Sequence, residues 1–253
     1  MPHPLTDTAP AHPCVICPRF DDLGADGRPA RLGIMGGTFD PIHIGHLSVA
    51  EQVREALGLD AVLFIPAGVP VFKRDRRVAP AADRLAMCRL AVADNPFFDA
   101  SDIEIRRGGD TYTVDTLREM RAHYPDNVEF WFIIGADAVA SISLWRESDA
   151  IAQLCKLAAV TRPGFQLDSA TRAQVDEAGA FDVRYLQATA LSVSSSDLRE
   201  RLEQSLSIRY LTTDGVCDYI REKGLYGFAE GGEGAADDAP YGAEGGPRCG
   251  CCR

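Results

Sequence analysis

The sequence predicts an α/β domain in which helices flank a mostly parallel sheet. Short apolar runs alternate with segments whose apolar residues recur at helical spacing. Gly and Pro punctuate the joints between them, and both ends of the chain lack the apolar content of the middle. Strands separated by helices pair in parallel through right-handed crossovers. In such a sheet ligands sit beyond the carboxyl ends of the strands.

Residues 1–30 carry six prolines and no apolar periodicity, and read as a flexible leader. Residues 32–35 form a buried strand ending in Gly36-Gly37, where a tight turn is expected. Leu47, Ala50, Val53 and Leu57 mark a helix from about Gly45 to Leu57. Residues 61–65 are the next strand, stopped by Pro66, and Arg84, Leu85, Met87, Cys88 and Leu90 belong to a second helix. A strand is expected at 102–105 and a helix at 113–122. Residues 129–134 form a strongly apolar strand, and a helix begins near Ala136. Strands at 157–160 and 183–186 precede closing helices at 195–202 and 214–223. From Ala229 onward there is no Val, Ile, Leu, Met, Phe or Trp, so 229–253 reads as a disordered, acidic, Gly-rich tail. The folded domain is therefore 31–228.

Of 253 residues 46% are apolar and 25% charged, the balance of a globular protein. No apolar run approaches the ~18 residues of a membrane span, and no secretory signal opens the chain. A cytoplasmic location follows, with no membrane partner. A net charge of −11 argues against a nucleic-acid partner, yet allows a local pocket for a small anion. Cys88, Cys155 and Cys217 lie in apolar-patterned segments and read as reduced, packed thiols. Cys14 and Cys17 form one CxxC, and Cys249, Cys251 and Cys252 cluster near the other end. With no histidine at ligand spacing, no metal site is assigned there.

The most informative stretch is Gly36-Gly37-Thr38-Phe39-Asp40-Pro41-Ile42-His43-Ile44-Gly45-His46, between the first strand and the first helix. Its glycines allow close approach of backbone to ligand, and the helix start offers N–H groups and a positive dipole end to phosphate. His43 and His46 can both donate to phosphate oxygens and stabilise charge on a pentacovalent phosphorus. Later in the chain, Ser194-Ser195-Ser196 opens a helix, with Arg199 about one turn on. Lys73 and Arg74 form a basic loop between Pro70 and Pro80, Asp137 follows an apolar strand, and Trp145 stands beside Arg146.

These segments resemble the nucleotidyltransferases with an HxGH motif, and specifically the bacterial nicotinate-nucleotide adenylyltransferases. The resemblance rests on GGTFDPIHIGH and on Pro66-Ala67-Gly68-Val69-Pro70 with Lys73. It extends through Gly109-Asp110-Thr111-Tyr112-Thr113, Ile134-Gly135-Ala136-Asp137 with Trp145, Arg162-Pro163-Gly164, and Val193 to Arg199. Phe72 stands where the family often has histidine, and Val193 and Ser196 replace isoleucine and threonine.

The resemblance implies a Rossmann-like nucleotidyltransferase fold and adenylyl transfer from ATP to nicotinate mononucleotide. His43, His46 and Arg199 would be catalytic. Gly36, Gly37, Thr38, Phe39, Ser195 and Ser196 would join them in binding ATP. Lys73, Tyr112, Thr113, Asp137, Trp145, Arg146 and Arg162 would contact the acceptor. Mg²⁺ would ride on the ATP phosphates without a dedicated protein site. Nicotinamide mononucleotide or another phosphate acceptor, and a non-catalytic nucleotide sensor, are the alternatives. The sequence is compatible with a homo-oligomer.

Overall fold

A computed structural model describes residues 16–69, 78–139, 141–161, 181–189 and 191–227. The side chain of Asp137 lies outside that description, as do the proposed leader up to residue 15, Phe228 and the proposed tail 229–253.

Among the described residues six strands form one sheet: β1 (Ala30–Gly37), β2 (Ala61–Pro66), β3 (Phe98–Ala100), β4 (Val128–Gly135), β5 (Lys156–Thr161) and β6 (Val183–Gln187). Every pairing is parallel, in the order β3-β2-β1-β4-β5-β6. The helices are α1 (Ile44–Leu57), α2 (Ala81–Ala91), α3 (Ile103–Arg107), α4 (Thr113–His123), α5 (Ala136–Val139), α6 (Ser148–Leu154), α7 (Ser195–Glu203) and α8 (Asp214–Lys223).

Alternation along each strand splits the core between the two faces of the sheet. Val62, Phe64, Trp131, Ile133, Ala158 and Val160 face one side, packed with apolar residues of α1, α2, α7 and α8. Leu63, Ile65, Phe130, Phe132, Leu157 and Ala159 face the other, packed with α4 and α6. The chain leaves β1 toward β2 through α1 and later returns from the far edge to place β4 on the other side of β1. The carboxyl ends of β1 and β4 thus form the point where strand order reverses, the expected ligand position.

Two expectations are corrected. Residues 103–105 are helical, with Asp102 at the N-cap of α3 and paired with Arg106 one turn on at 2.6 Å, while the edge strand lies earlier, at Phe98–Ala100. The flexible leader proposed for 1–30 does not hold from Ile16 onward. Ile16 and Cys17 are buried in the α4 side of the core, Ser101 Oγ donates to the Ile16 carbonyl at 2.5 Å, and Asn127 holds the Gly24 carbonyl at 2.9 Å. Arg19 donates to the carbonyls of Ala93, Asn95 and Phe98 at 2.8–2.9 Å. Cys17, one half of the CxxC, has its thiol against the Tyr124 hydroxyl at 3.7 Å, and burial pushes its pKa up to about 11. Among the described residues no group of three or more His, Cys, Asp or Glu could hold a metal, and no helix is long and apolar enough to cross a membrane.

Candidate active site

A cleft of about 420 Å³ opens at the carboxyl ends of β1, β4 and β5. Gly36, His43, Gly45 and His46 line one side, Ser194, Ser195, Ser196 and Arg199 another, and Ala188, Thr189 and Leu191 a third. The amino ends of α1 and α7 both reach this cleft, so two positive dipole ends meet in one place.

The local sequence explains the arrangement. Gly36 and Gly37 are the last residues of β1, paired with Ile65 and Pro66, and the tight turn expected at them comes one step later. Phe39 carries it in the left-handed region, at φ 49°, with its ring buried against His46 at 5.0 Å. His43 then occupies the N-cap of α1, a place where Ser, Thr, Asp or Asn is usual. The His43 and His46 rings stack at 3.7 Å. His46 Nδ1 accepts from the His43 backbone N–H at 3.3 Å, so a neutral His46 carries its proton on Nε2 as a donor. Gly45 makes this possible: a Cβ there would lie 3.0 Å from both His43 Nδ1 and Val193 Cγ1.

At α7, Ser194 and Asp197 satisfy each other's backbone N–H groups in a capping box. That frees the next two serines from capping. Ser195 Oγ donates to the Pro41 carbonyl at 2.8 Å, and Ser196 Oγ accepts from Arg199 Nη2 at 3.1 Å. Arg199 Nη1 donates to the Asp40 carbonyl at 2.5 Å and lies 3.7 Å from its carboxylate. Asp40 in turn accepts from the Ala79 N–H and from the Tyr226 hydroxyl at 2.7 Å. Burial, and then the Asp40 charge, raise the Tyr226 pKa far above its ordinary value.

Of the residues expected to bind ATP, Gly36, His43, His46, Ser195, Ser196 and Arg199 are brought together in the cleft. Gly37, Thr38 and Phe39 do not line it and instead shape the turn. The expected acceptor residues form a second group on the opposite sheet face. Tyr112 caps α4 and Thr113 begins it, the Arg146 guanidinium lies 4.6 Å over the Tyr112 ring, and Trp145 meets Phe132 edge-on at 6.0 Å. Phe132 connects the groups, because a Cβ on Gly36 would touch its ring at 3.5 Å. Lys73 and Arg162 fall outside the described residues.

Two residues without a sequence-based role belong to this architecture. Asp40 is the hub just described. Arg84 is 1% exposed and sits in the apolar stripe of α2, one turn before Cys88 and two before Ala91. An arginine inside a helix's buried stripe is a signal legible in sequence, since an isolated charge is costly to bury.

An all-parallel doubly wound sheet with histidines and an arginine gathered at its switch point defines a nucleotide-binding transferase fold. Residues 34–201 match the model of the cytidylyltransferase-like family. The chain belongs to that family and, within it, to the nicotinate-nucleotide adenylyltransferases. A Moorella thermoacetica protein named "probable nicotinate-nucleotide adenylyltransferase" is 45% identical over 201 residues, 79% of this chain and 93% of that protein. A Roseiflexus protein of the same name is 47% identical over 197 residues, 78% of this chain and 98% of its own. Among solved structures, Plasmodium falciparum nicotinic acid mononucleotide adenylyltransferase complexed with NaAD superposes with a TM-score of 0.65 at 21% identity, covering 79% of this chain and 98% of that one. At that identity the likeness is one of fold.

Proposed function

We propose that the protein transfers the adenylyl group of ATP to the phosphate of nicotinate mononucleotide, giving nicotinate adenine dinucleotide and pyrophosphate for NAD biosynthesis. The observation that carries this reading is the meeting of two helix amino ends with His43, His46 and Arg199 in one cleft of a chain so similar to these enzymes.

A phosphate oxygen of the acceptor attacks the α-phosphorus of ATP in line. A new P–O bond forms as the bond to the β-phosphate oxygen breaks, and pyrophosphate leaves. The attacking phosphate is already ionised, so no side chain need remove a proton. Positioning and charge stabilisation then supply most of the catalysis. His46 Nε2 and His43 donate toward the α-phosphate. The N–H groups of α1 and α7, with Ser195, Ser196 and Arg199, hold the β- and γ-phosphates. Gly36 and the turn of Gly37, Thr38 and Phe39 let the backbone come close.

Among the described residues no carboxylate lines the cleft, which suits Mg²⁺ carried mainly by ATP oxygens. When bound there, the ion would neutralise charge on the leaving pyrophosphate.

The acceptor's pyridine ring would lie against Trp145 and Tyr112, next to Thr113; the resemblance adds Lys73, Asp137 and Arg162 as acceptor contacts, which lie outside the described side chains. Arg146, stacked on Tyr112, brings positive charge to this region and favours a carboxylate over an amide. The cytoplasm, where ATP is abundant and the buried thiols of Cys17, Cys88 and Cys155 stay reduced, is the proposed location.

Pyrophosphate release from ATP with nicotinate or nicotinamide mononucleotide tests the assignment. A specificity constant at least ten-fold higher for nicotinate is expected. Equal rates would overturn the choice of acceptor, and no release with either would overturn adenylyl transfer.

A further inference from the structure

The guanidinium of Arg84 is almost wholly buried, and its carbonyl partners come from three separate segments. Nη1 donates to the Thr38 carbonyl at 2.8 Å, in the turn between β1 and α1. Nη2 donates to the Gly68 carbonyl at 3.0 Å, just after β2. Nε donates to the Ala79 carbonyl at 3.0 Å, just before α2. Three N–H vectors of one planar group therefore fix three backbone segments relative to one another. A lysine could not do so, because its ammonium is a compact centre without the planar fork.

The Thr38 end matters for chemistry. Thr38 begins the turn whose next carbonyls, those of Asp40 and Pro41, hold Arg199 and Ser195. Three residues after Asp40, His43 starts α1. The Gly68 end is packed with no slack: a Cβ on Gly68 would come within 2.7 Å of the Glu104 carbonyl oxygen. Gly68 thus serves as a fixed post from which Arg84 braces the turn. Burial draws the Arg84 pKa below its ordinary value, and the neighbouring Asp40 charge opposes that fall.

We propose that Arg84 is a positioning residue for adenylyl transfer: its fork sets the Thr38–Pro41 turn at the height where His43, Arg199 and Ser195 meet the ATP phosphates. The proposal rests on the assigned reaction. A residue needed only for stability would lose activity in proportion to the folded fraction, and equally toward both substrates. A positioning residue loses ATP handling while the protein remains folded.

The test uses Arg84→Lys and Arg84→Gln in the full chain, assayed well below their melting temperatures, with calorimetric binding of a non-hydrolysable ATP analogue as a second readout. Both variants should stay folded, lose at least ten-fold in kcat/KM for ATP and bind the analogue at least five-fold more weakly. The KM for the acceptor should move less than three-fold. Lysine should not rescue the loss. A folded variant with wild-type ATP parameters would overturn the proposal, as would equal losses toward both substrates, or failure of both variants to fold. An inactive wild type that still binds the analogue would count against the assigned reaction instead, and the binding comparison would then decide the role of Arg84 alone.

Discussion

The Arg199 guanidinium is held by the backbone of the turn that leads into α1: its Nη1 donates to the Asp40 carbonyl at 2.5 Å. The second amino end of the cleft is thereby fixed to the first, and Arg199 is aimed before any ligand arrives. The same guanidinium also holds Ser196 Oγ, so its orientation is set at two points. Arg199→Lys keeps the charge and loses this two-point hold. It should weaken ATP binding and lower kcat/KM for ATP by roughly 10- to 100-fold, the range of a charge-assisted hydrogen bond worth about 1.5–3 kcal/mol. Steady-state kinetics with ATP varied would show it, and a lysine variant with normal ATP kinetics would remove Arg199 from the phosphate site.

The stacked histidines carry the second prediction. His46→Ala removes a donor, and the tautomer assigned to His46 makes that donor Nε2. His46→Ala and His43→Ala should each lower kcat by about 10²-fold or more, the scale for losing one donor to transition-state charge. Gly45→Ala tests the geometry separately, since its methyl would press on His43 and Val193 at 3.0 Å while leaving both rings present. Single-turnover rates are the appropriate measurement. Normal turnover in both histidine variants would sink the mechanism.

Most of the frame that positions these groups was legible because it is written in local patterns. The strands of the sheet centre are short apolar runs, and α8 begins and ends where its periodicity does. The HxGH turn falls between a strand and a helix, so its place at the carboxyl end of a strand followed from topology. What escaped notice depends on contacts distant in sequence. Ile16 and Cys17 sit in a short apolar run without periodicity, and their burial follows from long-range contacts, among them the Arg19 bonds to carbonyls more than seventy residues away. Over 102–105 the alternating pattern spans too few residues to separate a strand from the short helix α3. Asp40 looks like an ordinary charged residue until Arg199, Ala79 and Tyr226 converge on it, and the place of Arg84 in an apolar stripe is visible in sequence while the three backbone segments it joins are not.

The strap yields a stability prediction. Deleting residues 1–29 exposes the surface under Ile16 and Cys17 and removes the Arg19 bonds. Burying one such aliphatic side chain is worth about 1.5–3 kcal/mol, and the lost hydrogen bonds add about 1 kcal/mol each. A domain of this size shifts by roughly 2–4 °C per kcal/mol. The melting temperature should therefore fall by roughly 6 °C or more, read by calorimetry. An unchanged melting temperature would return residues 16–29 to the role of a leader.

Glu104 makes stability depend on pH. It is 7% exposed, and burial is the main reason its pKa rises to about 7, against the opposing effects of the Thr116 hydroxyl, Arg107 and Arg84 and with a smaller push from Glu119. Thr116 Oγ1 donates to it at 2.7 Å while accepting from Arg107. Because the folded pKa lies above the unfolded one, the folded state binds more protons between about pH 4.5 and 7. The contribution of Glu104 is thus fully present at low pH and is lost as pH rises through about 7. Its size is on the order of 3 kcal/mol at 1.4 kcal/mol per pH unit. Denaturant unfolding of wild type and Glu104→Gln from pH 5 to 8 should show the wild type losing ground to the variant as pH rises. Parallel curves would place the Glu104 titration outside this window.

The last prediction concerns the acceptor. Trp145 meets Phe132 edge-on at 6.0 Å, and Phe132 lies under Gly36, so the tryptophan stands on the far side of the sheet end from His43 and His46. Trp145→Ala should therefore leave binding of an ATP analogue within about three-fold and raise the KM for nicotinate mononucleotide at least ten-fold, the loss expected when an aromatic wall worth roughly 1.5–3 kcal/mol is removed. Arg146 asks a narrower question. Its guanidinium lies over Tyr112 at 4.6 Å and 3.7 Å from the Glu147 carboxylate, and under the proposed function it would offer a charge that a carboxylate can use and an amide cannot. Arg146→Gln should narrow the preference for nicotinate over nicotinamide by about 10-fold or more, as befits loss of one charge-assisted contact of about 1.5–3 kcal/mol. The narrowing should come from slower use of the nicotinate form, with nicotinamide rates unchanged. A variant that loses both acceptors equally would show that Arg146 holds the Tyr112 wall in place and does not read the carboxylate.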